Sequence, residues 1–314
     1  MPAASRKKMK IESNDSAVSQ RFNKQLREVW HGERGSDDIT YSHMAMCQVY
    51  LPYNRHPSDL YEVTQGKLTM RVQAAKYMHR GKEISRGVPY GTRARLLVYL
   101  MNELAIEQQS PSFRISKNFS DLTRKLNIGR TGREIQDLKQ QFESLCTAFF
   151  SLEWDRVGST GMHNFNLVET IVTPRILKGM GGYADVAKDK DGFYVTLSPK
   201  YFESLMTKAV PLDKRAIRGL QNSPMCLDIY NWLTQRLHRI EKGKPQFAPW
   251  DNLHQQFGRS YGKMHHFKLK FREHLMHVRL FYQEAKINEV PNRGFQLHHS
   301  PPPIPPKTQL LFQR

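Results

Sequence analysis

The sequence predicts an α+β fold, mainly helical, in which one order of elements occurs twice. Each copy contains a helix with an apolar stripe, a short extended segment, a short second helix and a longer amphipathic third helix. Each third helix is followed by segments of alternating apolar and polar residues around glycine-containing turns, which is typical of hairpins. Helix, strand, helix, helix, hairpin is the order of a winged helix. We therefore expect tandem winged-helix domains with small antiparallel sheets.

The first copy is predicted between residues 93 and 172. Its elements are a helix over 93–104, a strand over 113–115, a short helix over 120–126 capped by Ser120, a third helix over 133–148, and a hairpin of strands 149–154 and 164–172. The third helix is indicated by Ile135, Leu138 and Phe142, which are three and four residues apart. Gly158 and Gly161 suit the tip of the hairpin, which would be the first wing.

The second copy is predicted between Pro224 and His298. Its elements are a helix after Pro224 over 225–237, an extended piece over 246–249, a short helix over 250–257, a long helix over 263–282, and a hairpin of strands 285–290 and 295–298. The long helix is indicated by the spacing of Phe267, Phe271 and Leu275. The run Pro291-Asn-Arg-Gly294 suits the turn of the second wing.

These patterns divide the chain into four parts. Residues 1–40 are predicted to be a basic, largely disordered arm, because the first fifteen are rich in Lys and Ser. Residues 41–209 form the first winged-helix domain, with preceding strands over 44–53 and 61–72, and residues 210–299 form the second. Residues 300–314 are predicted to be a Pro-rich extended tail.

The charge balance favours a polyanionic partner. The 314 residues carry 48 Lys and Arg against 29 Asp and Glu, a formal net charge of +19. Such an excess suits nucleic acid first and an anionic membrane second. Since no apolar run approaches the roughly 18 residues of a spanning helix, we expect no membrane partner and a cytoplasmic location. The three cysteines are far apart in sequence, which predicts reduced thiols.

Eight segments, in one order along the chain, carry a family resemblance. They are 47–53 (CQVYLPY), 88–97 (VPYGTRARLL), Thr131-Gly132, 210–220 (VPLDKRAIRGL), 223–234 (SPMCLDIYNWLT), Trp250 with Leu253 and Gln256-Phe-Gly258, 267–271 (FKLKF) and 298–302 (HHSPP). Together they resemble the plasmid-encoded RepA proteins, over roughly residues 44–303. One departure is the glycine- and charge-rich stretch from Gly179 to Gly192, where a shorter connection is expected.

The resemblance implies a bacterial, plasmid-encoded replication initiator that recognises repeated origin sequences in double-stranded DNA without making or breaking a bond. It also implies host partners, namely the host initiator protein, the helicase and the sliding clamp, and it allows a homodimer. The tail sequence Thr308-Gln-Leu-Leu-Phe312 is similar to a short clamp-docking peptide, with Thr in place of its first Gln.

Candidate DNA contacts follow from the third helix of each copy, which lies in the major groove in winged helices. Lys and Arg can read guanine or neutralise phosphates, and Gln can read adenine. The candidates of the first copy are Arg130, Arg133, Gln136, Lys139, Gln140 and the wing residue Arg156. Those of the second copy are Lys263, His266, Lys270, His274, His277 and the wing residue Arg293.

Three other functions stay open at this point. The same domains could serve a transcriptional repressor, a nicking replication enzyme or a nonspecific nucleic-acid coat. An enzyme is disfavoured, because the sequence has neither a G-x-x-x-x-G-K-[ST] loop nor a G-x-S-x-G elbow. A nicking enzyme would need a His pair separated by one apolar residue, whereas His265-His266 and His298-His299 are adjacent. No cofactor is expected.

A metal site is also not expected from the sequence. His265, His266, His274 and His277 lie close together, but no Cys stands near them in the sequence and the spacing matches no known zinc motif.

Overall fold

The structure is a computed structural model that describes residues 17–79, 81–156, 158–172 and 192–305. These residues form an α+β fold with small antiparallel sheets, as predicted. The helices are α1 (Ala17–His31), α2 (Gly91–Glu107), α3 (Phe119–Lys125), α4 (Gly132–Thr147), α5 (Pro199–Lys208), α6 (Lys214–Leu220), α7 (Pro224–Leu237), α8 (Trp250–Phe257) and α9 (Met264–Phe281). The strands are β1 (Ile39–His43), β2 (Leu60–Gln65), β3 (Leu68–Gln73), β4 (Lys76–His79), β5 (Lys82–Ser85), β6 (Ser112–Ser116), β7 (Phe149–Arg156), β8 (Ser159–Asn166), β9 (Val168–Val172), β10 (Phe193–Leu197), β11 (Ala209–Asp213), β12 (Gln246–Pro249), β13 (Ile287–Val290) and β14 (Gly294–Leu297).

The first copy begins with the predicted series α2, β6, α3 and α4. Two N-terminal caps fix where α3 and α4 start. Asn118, not Ser120, caps α3, because its side chain accepts a hydrogen bond from the backbone N–H of Asp121 at 2.8 Å. At α4, the Thr131 hydroxyl accepts from the Glu134 N–H while the Glu134 carboxylate accepts from the Thr131 N–H. The capping box fixes where α4 begins, and the residues at this end of the helix are at the surface.

The hairpin after α4 belongs to a different sheet from the one predicted. β7 and β8 pair with each other, and β7 also pairs with β3, so the sheet has the order β2-β3-β7-β8. The pairing sets Met70 opposite Leu152 and Val72 opposite Phe150, and all four side chains are buried. This shared burial draws the hairpin to β3 rather than to β6. The assignment of residues 149–166 to the first wing is therefore wrong, whereas residues 168–172 form β9, which does lie in the sheet of β6.

The strand beside β6 is β10. It also pairs with β9, which gives a three-stranded sheet of order β6-β10-β9. The connection between β9 and β10 contains the glycine- and charge-rich stretch noted above, and residues 173–191 lie outside the described part of the chain.

The second copy follows its prediction closely. α7, β12, α8, α9, β13 and β14 occur in the predicted order, and α9 starts and ends within one residue of the expected bounds. Ser223 caps α7, accepting from the Cys226 N–H at 3.3 Å, and Pro224 takes the first helical position, where a proline costs nothing. The three strands form a sheet of order β12-β14-β13, which repeats the order β6-β10-β9.

The N-terminal region differs from its prediction in two places. The expectation of a largely disordered arm over residues 1–40 is wrong for its described part, which forms α1 and packs on α6 and α9. The Trp30 indole N–H donates to the Leu280 carbonyl at 2.7 Å. Residues 44–53 are not a strand: His43 caps a 3-10 turn over Met44–Cys47, accepting from the Ala45 N–H. Residues 61–72 lie in the β2-β3 hairpin.

The two copies share one core. Within it, Arg95 on α2 donates two hydrogen bonds, of 2.8 and 2.7 Å, to the Asp228 carboxylate on α7, and both side chains are buried. Nearby, Asn231 donates to the Tyr99 hydroxyl at 2.8 Å. β1 and β11 also pair across the predicted boundary at residue 209, so the first and second copies are joined by a helix pair and a strand pair.

The proline-rich segment is fixed to this core through residue 305. Ile304 is fully buried, and the Tyr282 hydroxyl donates to the Pro301 carbonyl at 2.8 Å. The clamp-like peptide at 308–312 lies outside the described residues.

Candidate nucleic-acid interface

The position of α9 is set by its buried aromatic side. Phe267 and Phe271 are fully buried and meet the Trp250 ring of α8 edge to face, at centroid distances of 6.1 and 5.8 Å. Phe271 also lies 5.7 Å from the Phe295 ring of β14. α8, α9 and the hairpin are thus packed around one aromatic cluster, and the other side of α9 is left at the surface.

Three of the five predicted α9 residues lie on that outer surface. Lys263, His266 and Lys270 are exposed. Lys263 precedes the first turn of the helix, and Lys270 forms an ion pair of 2.8 Å with Glu273. These three side chains form a polar edge along the first half of the helix.

The other two predicted residues turn inward, so the expectation of one solvent-facing stripe is wrong for them. The His277 ring packs edge to face on Phe22 of α1, at a centroid distance of 5.6 Å. His274 is half-buried, and burial lowers its pKa. Steps of three and four keep the five residues on one side of α9, and the later two are covered because α1 packs against the second half of the helix.

The centre of the exposed face is occupied by residues that the sequence analysis did not single out. Leu269 is 62% exposed and Met276 is 52% exposed, seven residues apart on one line of α9. Arg272 lies between them, and its guanidinium binds the Glu289 carboxylate of β13 at 2.6 Å while stacking over the Trp250 ring. A burial pattern could have found them, since they lie opposite Phe267, Phe271 and Leu275.

The second hairpin carries its predicted cation at the turn. Arg293 is exposed, and its guanidinium lies 5.3 Å from the centre of the Phe247 ring. The turn is backed by the sheet: Gly294 has φ of 148°, and a Cβ there would lie 2.1 Å from the Ala248 carbonyl oxygen. Only glycine therefore fits next to Arg293, and the turn is held close to β12.

In the first copy, the exposed candidates cluster at the start of α4. Arg130, Arg133 and Gln136 are exposed, whereas Lys139 and Gln140 are half-buried. The Lys139 ammonium lies 5.1 Å from the centre of the Phe119 ring, which places it against α3. Arg130, Arg133 and Gln136 thus form an exposed group, and Lys139 and Gln140 are partly covered next to it.

The end of α4 is covered, and the predicted first-wing cation lies elsewhere. Glu143 forms an ion pair with Arg86, and Gln141 accepts from the Tyr90 N–H at 2.7 Å. The backbone of Arg156 is at the end of β7, in the β2-β3-β7-β8 sheet and not in the sheet of β6, and its side chain is outside what the structure describes.

A search of the described ranges for membrane spans gives a negative result: none of their helices combines the length and apolarity that a bilayer crossing requires.

Comparison with known proteins assigns the chain to a family. Among solved structures it is similar to the crystal structure of domains 2–3 of RctB, with a TM-score of 0.50 and 11% identity over 82% of this chain and 96% of that one. Selenomethionine derivatives of domains 2 and 3 of RctB give a TM-score of 0.49 and 9% identity, over 87% and 96%. At 11% identity the likeness is one of fold alone. No curated protein matches the sequence.

The family model described as "Plasmid encoded RepA protein" matches residues 88–252, from the segment before α2 into α8 and over more than half of the chain. The chain therefore belongs to the family of plasmid-encoded RepA proteins.

Proposed function

We propose that this chain initiates plasmid replication by binding repeated duplex sites in an origin through two winged-helix units, and that it makes or breaks no bond itself. Membership of the plasmid-encoded RepA proteins supports the initiator role. The repeated element order and the matching strand orders β6-β10-β9 and β12-β14-β13 support two related units. Recruitment of the host initiator, helicase and clamp completes the proposed role.

The observation that carries the proposal is the outer surface of the second unit. Lys263, His266 and Lys270 lie on α9, and Arg293 lies on the turn of the adjoining hairpin. A rigid aromatic cluster beneath them fixes helix and hairpin to each other. In this proposal α9 enters the major groove and the hairpin touches the adjoining backbone.

Individual roles follow from side-chain chemistry. Lys263 and Lys270 neutralise phosphates, and His266 donates to a base edge or a phosphate. The exposed Leu269 suits the methyl group of thymine, since apolar side chains read that group in the major groove. In the first unit, Arg133 and Gln136 on the exposed start of α4 take the equivalent positions.

Footprinting on DNA that flanks the gene tests site-specific binding, with scrambled DNA of equal length as the control. We expect protection of regularly repeated sites that persists at physiological salt. Equal, salt-sensitive binding to both DNAs would leave only a nonspecific basic coat. Replication of a plasmid that carries the protected sites is then measured with and without this chain. Replication that depends on the chain indicates an initiator and not a repressor.

Removing two charges from α9 is expected to weaken binding in a defined way. The double substitution Lys263→Gln and Lys270→Gln removes two phosphate contacts. The negative slope of log K against log salt concentration should therefore become shallower by roughly 1.8. The control is Lys242→Gln with Lys244→Gln, two exposed lysines in the turn between α7 and β12. Both variants lose the same net charge. An equal fall in slope for the control pair would contradict a specific role for α9.

A further inference from the structure

Three metal-binding side chains meet where α9 crosses the start of α7. Cys226 is the third residue of α7, and His274 and His277 are one turn apart on α9. One ligand atom from each residue lies within 4.8 Å of the other two. The cysteine that the histidines lack in the sequence is therefore supplied by the fold, from 48 residues upstream.

The donor atoms of these side chains have few protein partners among the described residues, and the Cys226 thiol donates only a long hydrogen bond of 3.9 Å to the His274 carbonyl. Cys226 is 3% exposed, so its thiol is sheltered from solvent. The Nδ1 atom of His274 is buried and has no hydrogen-bond partner in the described part of the chain. A buried ring nitrogen without a partner is unfavourable, and coordination would satisfy it.

The donor set and its spacing select the metal. One thiolate and two imidazoles are the ligands that Zn²⁺ takes, whereas Mg²⁺ and Ca²⁺ take oxygen. Tetrahedral zinc needs its ligand atoms about 3.3–3.8 Å apart. The three ligand atoms lie within 4.8 Å of one another, so they would have to approach by about 1 Å to hold the ion.

The charges near the cluster are compatible with a bound cation. Glu273 adjoins His274 on α9, and its carboxylate is held by Lys270 at 2.8 Å. The Phe22 ring of α1 packs edge to face on His277, which is half-buried. Three protein ligands leave one coordination position, which water can fill.

We propose that Cys226, His274 and His277 bind one Zn²⁺ ion that fixes α9 to the start of α7. The Cys226 thiol gives its proton to solvent when the Zn–S bond forms. The ion would tie α9 to α7 farther along the same side of the helix that carries Lys263, His266 and Lys270, and the zinc site itself does not depend on the assignment of that side to DNA.

Cobalt titration of the full chain tests the site, because Co²⁺ bound to a thiolate gives a charge-transfer band that aqueous Co²⁺ lacks. We expect saturation at one equivalent, loss of the band when Zn²⁺ is added, and no band in Cys226→Ser. The matched control is Cys146→Ser, another buried cysteine, on α4, which should bind as wild type does.

A second variant keeps the test decisive if Cys226→Ser does not fold. His277 is half-buried, so His277→Gln should keep the fold, as measured by circular dichroism, and should weaken Co²⁺ binding by at least about tenfold. The proposal is overturned if wild type gives no saturable band, if folded Cys226→Ser keeps it, or if His277→Gln binds as tightly as wild type.

Discussion

Replacing Arg95 with Met is expected to lower the free energy of unfolding by about 3–5 kcal/mol. The substitution removes both hydrogen bonds to Asp228 and leaves its carboxylate buried between α2 and α7 without a counter-charge. Arg95 also donates to the backbone carbonyls of Leu51 and Gly91, which lose these partners as well. Urea unfolding at pH 7 measures the loss, and the variant Arg95→Met with Asp228→Asn is the control. It should recover part of the stability, since an amide carries no charge to bury.

The loss should depend on pH in a direction that identifies its cause. Burial raises the pKa of Asp228 from its ordinary 3.8 to about 6 even beside Arg95, and removing the guanidinium raises that pKa further. Folded Arg95→Met therefore holds a proton that the unfolded chain releases near pH 4. The contribution of this group to stability is fully present below about pH 4 and is lost as the pH rises through the folded-state pKa. A deficit that stayed constant from pH 4 to pH 8 would mean that lost packing, not buried charge, is the cause.

Replacing Phe271 with Ala is expected to lower the free energy of unfolding by about 3–5 kcal/mol. Phe271 is fully buried at the centre of the aromatic cluster, with ring centroids of Phe257 and Phe267 both at 5.5 Å. Truncation leaves a cavity bounded by α9 itself and by two other elements, α8 and β14, whose mutual packing opposes collapse. Thermal and urea unfolding both report the loss.

Leu269→Ala is the matched control for this prediction. It removes apolar side-chain atoms from α9 only two residues away, but on the exposed face, so it should change stability by no more than about 0.5 kcal/mol. Comparable losses from the two variants would show that α9 is stabilised by its helical propensity and not by the aromatic cluster.

The elements of the second unit could be predicted because their signals are local. Pro224 follows a Ser cap, Gly258 ends α8, and Asn292 and Gly294 adopt the positive φ angles that a tight turn requires. Each signal acts within a few residues of the element that it limits, so one sequence is enough to read it.

The first wing could not be predicted, because the choice of a strand partner is not local. The alternation of Phe150 and Leu152 predicts a strand with one buried face, and the strand exists. It does not say whether that strand joins β6 or β3, since both offer an apolar edge. Cys226 was not connected with the histidines of α9 for the same reason, because it meets His274 only through the packing of α7 on α9.

The docking of α1 has a consequence for synthesis on the ribosome. Trp30 donates its hydrogen bond to a carbonyl 250 residues further along the chain, and Phe22 packs on Phe281. At about 5–20 residues per second, α1 is therefore made roughly 12–50 s before the end of α9 exists. Its other partner, α6, is made earlier. The contact between α1 and α9 is thus one of the last to form, and early folding has to start at local series such as α2–β6–α3–α4.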